Sequence, residues 1–183
     1  MTTSTVMTAQ DLEQLPRDGR RYDLIKGVLK RMAPAGGPHQ IVTGRFISYL
    51  NEYLEPRNLG TAGGEGGFIF ADDPDTVLGP DVSVILAEQF PRIQAPGYMR
   101  IVPPLVAEVL SPSNRPADIE EKVQIYLRAG VKVVLVIDTS RRTIRVRTPE
   151  GDDILLIEDD ELTLGSLFPD FRMPVARLFR WLI

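Results

Sequence analysis

The chain has 183 residues, 43% hydrophobic and 25% charged, which suits one soluble domain with a proper core and is short for two. No apolar run approaches the roughly 20 residues that span a bilayer, and Met1 to Met7 has neither the basic start nor the apolar stretch of a signal peptide, so a cytoplasmic protein is expected. The absence of cysteine excludes disulfides and thiolate metal sites. A single histidine, His39, argues against zinc, so any metal is expected to be oxygen-held, as Mg2+ or Mn2+ are.

The net charge of −4 speaks against a protein that coats nucleic acid non-specifically, though not against an enzyme with one local basic surface. The charges are uneven. Arg17, Arg20, Arg21, Lys26, Lys30 and Arg31 cluster early, Arg141, Arg142, Arg145 and Arg147 later, and Glu158 to Glu161 form an acidic run. A solvated surface is the plainest account of such clusters.

Residues 1–7 are expected to be disordered. Thr8 and Asp11 then start a short helix that ends at Pro16 and Asp18-Gly19. Residues 21–25 and 28–32 flank Lys26-Gly27 as a β-hairpin. Val42, Phe46, Tyr49, Leu50, Tyr53 and Leu54 recur at helical spacing, stopped near Gly60. Gly63 to Gly67 lead into a strand at 68–70; they lack a Gly-Lys-Ser/Thr ending and a following helix, so they are no phosphate loop. Strands are expected at 81–87 and 105–110, with a long exposed Pro/Gly-rich loop from Pro91 to Pro104 between them. A helix carrying Ile119, Val123, Tyr126 and Leu127 closes at Gly130 and feeds an apolar strand at 131–137, a parallel βαβ pattern. Strands at 143–148 and 153–157 and a closing helix from Pro174 to Trp181 complete the chain. The fold class is α/β of the mixed α+β kind, a central mixed sheet flanked by helices, as a single domain over 1–183.

Three residues stand out chemically. Glu108 sits inside an apolar strand on the face of Val106 and Leu110, and a buried carboxylate must be paired or ligate a cation. Asp81, in Gly-Pro-Asp-Val, is ordinary turn chemistry alone, yet it begins a strand that can pair with the Glu108 strand. Lys122 falls about 60° from Ile119 around the helix, bordering the buried stripe beside Tyr126. Its stem could pack while the ammonium snorkels to water, or the ammonium could face a site. His39, just before a helix, and Asp23, on what reads as the polar side of the hairpin, are weaker candidates.

Arg21-Tyr22-Asp23-Leu24-Ile25-Lys26-Gly27, Pro38-His39-Gln40, Pro80-Asp81-Val82-Ser83, Glu108-Val109-Leu110-Ser111-Pro112-Ser113, Lys122…Tyr126…Ala129-Gly130-Val131 and Val136-Ile137-Asp138 occur in a telling order. The chain thereby resembles the Uma-type family of "putative restriction endonucleases", a bacterial group of the PD-(D/E)xK nuclease superfamily, over about residues 8–180. The resemblance implies a restriction-endonuclease-like core in which Asp81 and Glu108 hold one or two divalent cations, Mg2+ or Mn2+, with the main-chain carbonyl of Val109. The usual lysine two positions after the acid is replaced by Leu110; the Uma-type pattern places it on the following helix, at Lys122. Family members commonly carry Glu at the position of Asp23 and often an acid at that of Lys26, so Asp23 is an auxiliary group of shorter reach. His39 is implied to line the cleft, with no step assigned to it.

Two functions follow. One is a metal-dependent endonuclease acting on DNA, with Asp81, Glu108 and Lys122 catalytic and Arg145 and Arg147, on one face of a strand, touching the phosphate backbone. The other is a nuclease fold that cuts poorly or not at all and acts as a homodimer or partner-binding module.

Overall fold

The computed structural model describes residues 6–16 and 18–180. Helix α1 (Ala9–Glu13) starts on a capping box: the Thr8 hydroxyl accepts from the Asp11 N–H while the Asp11 carboxylate accepts from the Thr8 N–H. Strands β1 (Tyr22–Ile25) and β2 (Val28–Arg31) form the expected hairpin, and Lys26 and Gly27 take positive φ, 51° and 73°, which suits a tight two-residue turn. Helix α2 (Gly37–Leu54) buries Val42, Phe46, Leu50 and Leu54 on one stripe, each contributing roughly 1.5–3 kcal/mol. After it come β3 (Gly60–Gly63), β4 (Phe68–Ala71), β5 (Thr76–Leu78), β6 (Val82–Leu86) and β7 (Leu105–Leu110). Helix α3 (Pro116–Ala129) is followed by β8 (Val133–Asp138), β9 (Thr143–Arg147), β10 (Asp153–Leu156), β11 (Glu161–Leu164), β12 (Phe168–Pro174) and α4 (Val175–Phe179).

The central sheet runs β10-β9-β8-β7-β6-β3; a second sheet runs β2-β1-β5-β4, and β11 pairs with β12. Within the central sheet β7 and β8 are parallel, joined through α3, and the other neighbours are antiparallel. The mixed sheet and the βαβ unit are therefore as expected. Gly130, at φ 102°, ends α3 in the left-handed region, where its N–H and that of Val131 cap the carbonyls of Leu127 and Tyr126.

Strand β7 is covered on both faces. Leu105, Ala107 and Val109 join the core formed with α2, α4 and the β11-β12 hairpin, whereas Val106 joins Val123 and Tyr126 of α3. Ile25 of β1 and Leu78 of β5 belong to that second core, so both sheets meet around α3. By alternation, Glu108 shares the face of Val106. That places a carboxylate at the junction of the two sheets and α3.

Several elements differ from expectation. Strand β3 reads Gly-Thr-Ala-Gly and has no apolar alternation; its pairing with β6, Gly60 opposite Leu86 to Gly63 opposite Ser83, is what makes it a strand. Strand β5 has three residues, too few for any period, and the β11-β12 hairpin was not anticipated. The segment from Pro91 to Pro104 is not simply an exposed loop: Ile101, Pro103 and Pro104 are buried, and Met99 bridges Phe68 of β4. His39 lies within the first turn of α2, not before it. Of residues 1–7, 1–5 lie outside the described residues, while the Met7 N–H donates to the Gly27 carbonyl. Arg17 and Trp181 also lie outside them. Among the described residues no helix is long and apolar enough to cross a membrane.

Candidate active site

Antiparallel pairing sets Val82 opposite Ala107, so Asp81, the residue before β6, stands next to Glu108 in the same register. Asp81 Oδ2 accepts from the Val109 N–H at 2.8 Å, which anchors the carboxylate to β7. The same oxygen lies 3.1 Å from His39 Nε2, delivered by the first turn of α2. Among the described residues nothing donates to its Oδ1.

Lys122 does not snorkel. Its ammonium is buried, 2.8 Å from Asp23 Oδ2 and 3.2 Å from Glu108 Oε2. Asp23 is likewise no surface group of a hairpin: it is 2% exposed, and its Oδ1 accepts from the Gly79 N–H at 3.2 Å. The polar pattern of β1 is thus an inward one, because α3 covers that face and the chain just after the neighbouring β5 supplies the Gly79 N–H. Tyr126 completes the cluster by donating its hydroxyl to Glu108 Oε1 at 2.5 Å. One cation among buried carboxylates is the arrangement that burial demands, since an unpaired ion there would cost several kcal/mol.

The surroundings shift these groups. Burial raises the Glu108 pKa most, Lys122 pulls it back and the Asp81 charge pushes it up again, leaving it at about 7. Burial alone would lower the Lys122 pKa, but Glu108 and Asp23 more than reverse that, so the ammonium stays charged. The Tyr126 phenol is pushed well up, by burial first and by the Glu108 charge second, and remains a donor. The hydrogen bond to Asp81 raises His39 against the opposing effect of burial.

A small cavity of about 40 Å³ opens on this cluster, lined by Asp81, Glu108, Val109, His39, Arg21 and Ser111 among others. A family model described as "Putative restriction endonuclease", that of Uma2, matches residues 9–176. The chain belongs to the Uma2 family. No curated protein matches it. Among solved structures, it is similar to a "putative nuclease belonging to DUF820" from Anabaena variabilis ATCC 29413. The TM-score is 0.84 at 22% identity, over 97% of this chain and 99% of that one, which shows a shared fold.

A divalent cation is the group that a restriction-endonuclease-like Uma2 protein implies, and the donor set can be tested for it. Among the described residues no group of three or more His, Cys, Asp or Glu side chains could hold an ion. The oxygens present are Asp81 Oδ1, the remaining acceptor capacity of Glu108, and the Val109 carbonyl, which in an extended strand points to the same side as the N–H bound by Asp81. Two carboxylates plus one carbonyl fit a hard cation that keeps several waters, as Mg2+ does. The raised Glu108 pKa, partly owed to Asp81, is also the repulsion such a cation would relieve.

The structure brings Asp81, Glu108, Val109, Lys122, Asp23 and His39 together. It does not bring Arg145 or Arg147. Both lie on β9, two strands from β7, where Arg145 pairs with Asp153 at 2.8 Å and Arg147 with Glu120 at 2.9 Å. Their guanidinium groups face these carboxylates and line neither the carboxylate cavity nor its approach. Tyr126 was legible as part of a buried stripe and of the motif that carries the resemblance, but no role at the site was expected of it, although a fully buried tyrosine hydroxyl needs a partner. Tyr126→Phe is expected to cost about 1.5–3 kcal/mol, the worth of a hydrogen bond to a charged group. Urea unfolding at neutral pH measures it, and an unchanged midpoint would deny the bond to Glu108 any role.

Proposed function

We propose that this Uma2 protein is a Mg2+- or Mn2+-dependent endonuclease that hydrolyses phosphodiester bonds of DNA. The observation that carries the reading is the buried Lys122 ammonium, 3.2 Å from Glu108, on the carboxylate that lines one cavity with Asp81. Asp81, Glu108 and the Val109 carbonyl would hold the cation, which supplies Lewis acidity to the phosphate and to the attacking water.

The chain's own groups do the rest. Lys122 holds positive charge where negative charge develops on the phosphoryl oxygens, and its fixed position avoids reorganisation during reaction. Asp23 and Tyr126 position Lys122 and Glu108, and His39 orients the Asp81 carboxylate. Arg21, on the cavity wall, supplies an exchangeable cation for a phosphate oxygen.

The test is cleavage of plasmid, linear and single-stranded DNA in Mg2+ or Mn2+, run beside calorimetric titration with Mn2+. Metal-dependent cleavage, lost on chelation, is expected. Failure to bind Mn2+, or cleavage that persists in EDTA, would remove the proposed chemistry.

A further inference from the structure

A second cavity, of about 640 Å³, adjoins the carboxylate cavity, and Arg21 and Met32 line both. Its size lies in the range of small-molecule sites. Tyr22 and Tyr98 line it, with Arg20 and Arg21 on the side toward β1 and Glu13 on α1. A Cβ at Gly67 would meet the Tyr98 ring at 2.4 Å, so bare glycine backbone backs the ring and holds it in place. Glu13 Oε1 accepts from the Tyr98 N–H at 3.1 Å, which leaves Oε2 to accept from an exocyclic amino group.

The cations here are loosely held. Arg21 pairs with Glu65 at 2.9 Å and Arg20 with Asp18 at 3.3 Å, all four side chains at least 36% exposed. Exposed pairs of this kind contribute about 0–1 kcal/mol, so a phosphate oxygen can replace the carboxylate. Lys30, Arg145 and Arg147 also pair with carboxylates, and none of the three lines either cavity. With a net charge of −4, the chain offers little to the many phosphates of a duplex. It offers aromatic rings and two cations to one or two nucleotides.

We propose that this cavity is a nucleoside subsite. It receives the unstacked base of the nucleotide beside the scissile phosphate, so the substrate is single-stranded or locally unpaired DNA. The inference rests on the nuclease reading above. Arg21, common to both cavities, takes the phosphate between the base and the cleaved bond, while Tyr98 stacks on the base, an interaction that tolerates any sequence.

The experiment measures binding without cleavage: fluorescence anisotropy of a short fluorescein-labelled oligonucleotide, single-stranded and as its duplex, in Ca2+ and in EDTA. Single strands are expected to bind about tenfold or more tighter than duplex. Tyr98→Ala is expected to weaken single-strand binding by about 5- to 100-fold and Tyr98→Phe to leave it intact. Leu15→Trp, which fills the cavity from the segment after α1, should reduce it too and guards against a folding defect of the alanine variant. Equal affinity for duplex, or single-strand binding unmoved by both Tyr98→Ala and Leu15→Trp, overturns the subsite and leaves the nuclease reading standing. Binding of neither form of DNA overturns both.

Discussion

Lys122→Met is expected to lower the stability of the fold by about 3–5 kcal/mol and to abolish cleavage. Methionine matches the stem but removes the one cation that Asp23 and Glu108 share in a buried site, 2.8 and 3.2 Å away. Breaking a buried pair from one side leaves uncompensated charge, which is why the cost exceeds what the intact pair contributes. In a chain of this length the loss corresponds to a drop in Tm of about 6–20 °C. The defect should shrink in acid. Glu108 titrates at about 7 in the folded protein against 4.5 ordinarily, so the folded state holds an extra proton between those values. Its contribution to stability is full below about 4.5 and is lost as pH rises through 7. Without Lys122 the carboxyl titrates higher still, so the gap from wild type is expected to be larger at pH ~8 than at pH ~5. Urea unfolding at both pH values measures this. Adding Glu108→Gln should recover part of the stability and none of the activity. A Lys122→Met protein as stable as wild type at high pH would mean that the ammonium is not buried between the two acids.

Asp81→Asn separates chemistry from folding. The amide oxygen can still accept from the Val109 N–H, so little stability should be lost. What disappears is a negative oxygen facing the cavity. Cleavage is expected to fall about 100-fold or more, since cation charge stabilisation is worth several kcal/mol, and Mn2+ affinity to fall with it. An independent readout is available because His39 is the only histidine in the chain. Its raised pKa is owed first to Asp81, so an NMR titration of the single imidazole should move to lower pH in the variant. Undiminished Mn2+ binding together with an unmoved His39 titration would detach Asp81 from the site.

The parts of the site differ in how far they could be read from the chain alone. Glu108 is anomalous locally: an acid within Leu-Val-Ala-Glu-Val-Leu has to be paired, whatever surrounds it. Lys122 was half legible, because helical periodicity puts it at the border of the stripe but does not say whether the ammonium turns in or out. Asp23 reads as a solvent-facing hairpin residue until α3 is placed over β1. Asp81 has no local signal beyond turn chemistry; its candidacy came from resemblance, and its neighbour Glu108 from the β6-β7 register. Arg145 and Arg147 looked available because Asp153 and Glu120 are invisible as partners before β10 and α3 are packed.

Local order therefore came from the sequence by itself: the capping box at Thr8, the Lys26-Gly27 turn, the stripes of α2 and α3, the Gly130 stop and the parallel βαβ unit. All but the last depend on contacts a few residues apart, where spacing and turn chemistry decide; the βαβ unit follows from a buried strand, a crossover helix and a second buried strand in succession. The convergence of Asp23, Asp81, Glu108, Lys122 and Tyr126 was decided by tertiary structure alone. Asp23 and Lys122 are far apart in the chain and meet only because two sheets bury a common helix between them. Only then does the cost of burying charge select which polar groups must touch.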